Sequence, residues 1–145
     1  MITQKGSVLL AGRSRYSLQL VRNAFAEWGY EVIQAQTCLE LIAIAAQCRP
    51  SLVVADLTTL GLPGPSLLEA LDQFSPGVPV ILIHDYPTLN DALAALKSGA
   101  EDFLSQPVDY GRLKFVVESS LARSQRNQEA DNDEFRDTCS TFRFR

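Results

Sequence analysis

Apolar residues along this chain come in short runs, and polar stretches with helical spacing separate them. "SVLLA" (7–11) is almost entirely apolar, and after it Leu18, Val21, Phe25 and Trp28 recur at the interval of one helix face. "EVIQA" (31–35) follows, then "TCLELIAIAAQC", which opens with Thr37 and Glu40 at the spacing of a capping box. "SLVVA" (51–55) leads through a Gly/Pro-rich loop to a helix carrying Leu67, Leu68 and Leu71. "VPVILIH" (78–84) precedes a second box, Thr88 to Asp91, and a helix with Leu89, Leu93 and Leu96. "DFLS" (102–105) runs into Pro107 and a helix from about Asp109, with Leu113, Val116, Val117, Ser120 and Leu121.

This pattern predicts five strands in strict alternation with five helices. Strands this short and this continuously apolar are buried on both faces, as in a parallel sheet covered by helices. "EVIQA" alternates more than the others and reads as an edge. The expected fold class is therefore α/β: three layers, doubly wound, with a five-stranded parallel sheet in the order 2-1-3-4-5. The domain is expected over residues 1–122. Residues 123–145 lose the periodicity and are expected to extend the last helix briefly before a flexible polar tail or linker.

Composition narrows the function classes. The 145 residues suit one domain with one core, and 46% hydrophobic with 21% charged residues is ordinary for a globular protein. A net charge of −4 argues against a nucleic-acid surface. No apolar run reaches the ~18 residues of a membrane span, and "MITQKGS" has no signal-peptide core, so a cytoplasmic protein with no membrane partner is expected. Three cysteines without a CxxC pair give neither a zinc set nor a redox dithiol. Cys38 and Cys48 read as small hydrophobes, and Cys139 as an exposed thiol in the tail.

In an open parallel sheet, ligands bind beyond the carboxyl ends of the strands, where the strand order reverses. The residues there are Gly12 and Arg13 after the first strand, Asp56 after the third, His84 and Asp85 after the fourth, and Gln106 and Pro107 after the fifth. Asp56 occupies the most ligand-prone position and is the candidate centre of a site. No catalytic triad, zinc set or paired-acid arrangement accompanies it, so an independent enzyme is not expected.

Residues 7 to about 122 resemble a response-regulator receiver domain, the flavodoxin-like phosphoacceptor module of two-component signalling. The resemblance is carried by "DLTTLGLPGPSLL", "PVILIHDY", "LKSGAEDFLSQP" and "AFAEWGYEV", in the right order. It implies that Asp56 is the phosphoacceptor candidate, that a histidine kinase or other signalling protein is the partner, and that Gln106–Pro107 is cis. It also implies an output and dimer face on the helix beginning at Leu89, the fifth strand and the last helix. That face would include Leu89, Leu96, Phe103, Tyr110, Phe115 and Leu121, with Phe103 at the position of a switching aromatic.

The departures from the family are concentrated around Asp56. The family places two acids after the first strand to help hold Mg²⁺, and this chain has Gly12 and Arg13. It places Ser or Thr after the fourth strand and Lys before the proline, where this chain has His84 and Gln106. A guanidinium near a metal position repels it by about 4 kcal/mol per unit charge at ~4 Å and an effective dielectric near 20, twice that for a divalent ion. The expectation is a degenerate pocket, a pseudo-receiver without a metal or other cofactor.

A carboxylate at the mouth of a sheet needs a partner, and Arg13 is the expected one. The other arrangement leaves Arg13 in water and Asp56 bonded by loop N–H groups. His84 reads as a polar strand end or as a partner of Asp56 or Asp85, and Asp85 as the spare carboxylate. Three functions compete. The first is an interaction module with its phosphorylation machinery dismantled. The second is a working receiver phosphorylated on Asp56, with Mg²⁺ as its cofactor. The third is a small-anion sensor using Gly12, Arg13, Ser14 and Arg15.

Overall fold

The computed structural model describes residues 6–128. Five parallel strands, β1 (Ser7–Ala11), β2 (Glu31–Ala35), β3 (Leu52–Asp56), β4 (Val80–His84) and β5 (Asp102–Ser105), form one sheet in the order β2-β1-β3-β4-β5. That is the order the hydrophobic pattern predicts. The helices are α1 (Tyr16–Glu27), α2 (Cys38–Cys48), α3 (Leu57–Leu60), α4 (Gly64–Phe74), α5 (Leu89–Lys97) and α6 (Tyr110–Gln128). There are thus six rather than five among the described residues. The extra one, α3, is a single turn that the two glycines and the proline of "LTTLGLPG" mask in the sequence.

The two-residue period of the strands sorts the core into two layers. Leu9 and Ala11, Val53 and Ala55, and Val80 and Leu82 point to one face, where Leu41, Leu67, Leu71 and Ala95 from α2, α4 and α5 cover them. Val8 and Leu10, Leu52 and Val54, and Ile81 and Ile83 point to the other, under Leu18, Val21 and Phe25 of α1 and Leu113 and Val117 of α6. β3 is buried along its whole length, whereas the edge strand β2 buries only Ile33 and Ala35. Two helix starts, those of α2 and α5, carry side-chain caps. Thr88 and Asp91 form a complete box. Thr37 accepts from the Glu40 amide, but the Glu40 carboxylate reaches back to the Gln36 amide and not to that of Thr37.

Cys48 is buried and Cys38 partly so, and neither is in a disulfide. Cys139 lies outside the described residues. α6 continues unbroken through the expected boundary at 122. Its first turn is pinned to β5 by Arg112, whose Nε and Nη2 donate to Asp102 at 2.8 and 2.7 Å.

Candidate functional site

Asp56 is the last residue of β3 and is completely buried. The register places Ala11 beside Ala55 and Ile83 beside Asp56, so the loops after β1 and β4 flank its carboxylate. Gly12 makes the turn out of β1 at φ +148, its amide donating to the Ala35 carbonyl. A Cβ at Gly12 would stand 2.8 Å from the Asp56 Cβ and 2.9 Å from Thr59 Oγ1, so the close approach of the two strand ends requires glycine there.

The partner of Asp56 is Arg15, not Arg13. Arg15 Nε donates to Asp56 Oδ2 at 3.0 Å and Nη2 to Oδ1 at 3.0 Å, a two-pronged pairing on a buried carboxylate. The same guanidinium reaches Asp85, with Nη1 2.9 Å from Oδ2 and Nη2 2.7 Å from Oδ1. Arg13 is exposed, and its backbone amide donates to Thr59 Oγ1 at 3.0 Å. The reason is geometric. Arg15 is the residue before α1, extended at φ −153 and ψ 165, four positions beyond Ala11, where β1 ends.

Two threonines of α3 close the arrangement. Thr59 Oγ1 donates to Asp56 Oδ2 at 3.0 Å, and Thr58 Oγ1 accepts from the Asp85 amide at 2.9 Å. Neither is evident in the sequence, where the pair reads as loop. His84 stands apart from both carboxylates among the described hydrogen bonds, with its Nδ1 accepting from the Tyr86 amide at 3.0 Å. Gln106–Pro107 is cis, and the Gln106 amide donates to the His84 carbonyl at 3.0 Å. Gln106 Nε2 is buried without a hydrogen-bond partner.

The electrostatics follow from these contacts. The hydrogen bonds from Arg15 hold the Asp85 carboxyl below the usual carboxylate range, against the opposing effect of its burial. Asp85 above all, with Asp56, binds the Arg15 proton more tightly than usual. Between them the two carboxylates present four oxygens, and Arg15 donates to every one. A divalent cation does not fit this donor set, because a fixed positive charge already occupies the space between the carboxylates. Nor do the described residues contain a group of three or more His, Cys, Asp or Glu able to hold a metal.

On the surface, Leu89, Leu93 and Leu96 of α5 and Phe115 of α6 are exposed, and Tyr110 is half-buried. Phe103 and Leu121, expected on the same surface, instead lie beneath it and are each only 9% exposed. Phe103 belongs to the core layer that contains Ala95. No helix among the described residues is long and apolar enough to cross a membrane.

The family model of the response regulator receiver domain matches residues 8–118. This chain belongs to that family. The receiver domain resembles the transcriptional regulatory protein ZraR of Klebsiella oxytoca, at 31% identity over 98 residues, which is 68% of this chain and 22% of that protein. It also resembles the nitrogen assimilation regulatory protein NtrX of Azorhizobium caulinodans, at 33% identity over 70% of this chain and 23% of NtrX. The chain therefore spans about a quarter of the length of these curated relatives. Among solved structures, NtrX of Brucella abortus aligns with a TM-score of 0.74 and 27% identity, over 86% of this chain and 28% of NtrX. The receiver domain of the Francisella response regulator 1452 aligns with a TM-score of 0.74 and 25% identity, over 83% of this chain and 99% of that one. These matches make the chain a signal-transduction receiver module of a two-component system.

Proposed function

We propose that this receiver domain is a pseudo-receiver, which signals by protein–protein interaction and not by metal-dependent phosphorylation of Asp56. The observation that carries this reading is the Arg15 guanidinium, which engages both oxygens of Asp56 while Thr59 donates to one of them. Phosphoryl transfer depends on a positioned nucleophile and on cations that neutralise the transferring group. Here both nucleophilic oxygens are engaged, the cation is held by two carboxylates, and the fifth strand is followed by neutral Gln106.

The docking face in this reading is formed by α5 and α6, where Leu89 is 75% and Phe115 70% exposed. Its partner is a histidine kinase or another signalling protein, or a second copy of the chain through the same two helices. The competing reading is a working phosphoacceptor, favoured by the retention of Asp56 at the end of β3.

Intact mass after incubation with Mg²⁺ and acetyl phosphate separates the two, with amide NMR under Mg²⁺ and beryllofluoride as companion. The pseudo-receiver gives no adduct and no shifts around Asp56. A phosphate-sized mass gain abolished by Asp56→Asn makes the chain a live receiver and removes this proposal. Against the small-anion reading, the Arg15 guanidinium is already engaged by two carboxylates.

A further inference from the structure

α5 is lightly held. Among its nine residues only Ala95 is buried, while Leu89, Leu93 and Leu96 face outward. Its N-terminal end is reached from β4 through residues 85–88, so whatever fixes this loop also fixes where α5 begins. Two side chains from outside the loop bond Asp85: Thr58 accepts from its amide, and Arg15 donates to both its carboxylate oxygens. Next to it, the Tyr86 amide is satisfied by Nδ1 of His84, the last residue of β4.

Arg15 is anchored in turn. It stands at the start of α1 and is clamped on Asp56, which is rooted at the end of the fully buried strand β3. One atom, Nη2, lies 2.7 Å from Asp85 Oδ1 and 2.9 Å from Asp56 Oδ2, so a single positive charge joins the loop to the centre of the sheet. We infer that Arg15 is a positioning residue, a cation tethered to the chain, which holds the β4–α5 loop and the exposed face of α5 in one arrangement without any incoming signal. Unlike a diffusible ion or a transferred phosphoryl group, a guanidinium on a side chain is always present and always charged. Its removal leaves two carboxylates flanking a position of cation size, a geometry that a free divalent ion can refill.

This deepens the pseudo-receiver reading and rests on it. The test uses no phosphodonor, so a tethered loop and a phosphorylatable Asp56 are read separately. Amide hydrogen exchange is compared across the wild type, Asp85→Ala and Arg15→Gln, each with and without MnCl₂. Asp85→Ala keeps the Arg15–Asp56 pair and frees only the loop. Residues 86–97 are expected to exchange at least tenfold faster in this variant, with β1 and β3 unchanged. Unchanged protection of 86–97 in Asp85→Ala overturns the tether. In Arg15→Gln the same segment loses protection and Mn²⁺ restores it, while the wild type does not respond to Mn²⁺. Lost protection that Mn²⁺ leaves unrestored makes Arg15 a packing element and overturns its role as a cation. If Arg15→Gln is too unstable to measure, Asp85→Ala alone decides for or against the tether, because it retains the buried pair.

Discussion

Arg15 and Asp56, 41 positions apart in the chain, meet through two hydrogen bonds of 3.0 Å each. The carboxylate is fully buried and the arginine side chain 28% exposed, so the pair lies at the boundary between core and solvent. Removing one member of such a pair leaves the other desolvated and unpaired. Arg15→Ala is expected to lower the unfolding free energy by about 3 kcal/mol. Arg13→Ala, which deletes an exposed side chain and leaves the backbone bond to Thr59 intact, stays within about 0.5 kcal/mol of the wild type. Urea unfolding of the two variants side by side decides which arginine stabilises Asp56.

Gly12→Ala tests how closely the strand ends approach. The new methyl would meet the Asp56 Cβ at 2.8 Å and Thr59 Oγ1 at 2.9 Å, on a backbone at φ +148 that a residue with a side chain rarely adopts. Neither neighbour is the far end of a flexible chain, so the strain cannot be relieved cheaply. A loss of about 3 kcal/mol is expected in thermal or chemical denaturation. Stability equal to the wild type would mean that the two strand ends part without strain to admit the methyl.

The Arg15–Asp85 contact carries a pH signature. The native carboxyl of Asp85 titrates below its unfolded value because the guanidinium favours its charged form. Its stabilisation is therefore complete above the unfolded carboxylate pKa and drains away as pH falls below that, through the lower native pKa. Arg15 stays protonated throughout and takes no part in the titration. Asp85→Asn is expected to cost about 1 kcal/mol at pH 7. The gap from the wild type should narrow steadily below about pH 4. A gap that stays constant down to about pH 2.5, well below the ordinary carboxylate range, would show that the carboxylate charge contributes nothing.

Arg112 offers a test remote from the site. Its two hydrogen bonds to Asp102 join α6 to the start of β5, and the acid is buried while much of the arginine is exposed. Arg112→Ala is expected to cost about 2 kcal/mol in equilibrium unfolding and to leave the exchange of residues 86–97 unchanged. Faster exchange in that segment would mean that α5 depends on α6 and not on the Arg15 contact.

The strand order and the place of Asp56 could be read in the sequence because both rest on short-range patterns. Runs such as "SLVVA" mark buried parallel strands, and the first polar residue after each run marks the mouth of the sheet. The partner of Asp56 could not be found that way. Reading the first two residues after each strand favours Arg13, whereas the guanidinium that arrives belongs to the residue before α1. One signal was present. Arginine is a poor N-cap and is unfavourable at the positive end of a helix dipole. Arg15 holds that position without capping through its side chain, a sign that the guanidinium is bonded elsewhere. Thr58 and Thr59 were hidden because their roles depend on α3, one turn with too few residues to show a period.

The distances along the chain within this cluster also fix when it can form. Arg15 and Asp85 are 70 positions apart, and they cannot meet until β4 has docked beside β3. Contacts that close such long loops are made late on the folding pathway, after much of the sheet has assembled. The stabilisation they add then lies almost wholly on the native side of the transition state, so losing the Asp85 carboxylate should leave the folding limb of a chevron plot in place and hasten escape from the native state. The charge that ties the loop down thus acts as a kinetic latch, setting how long the folded receiver lasts and not how quickly it is made.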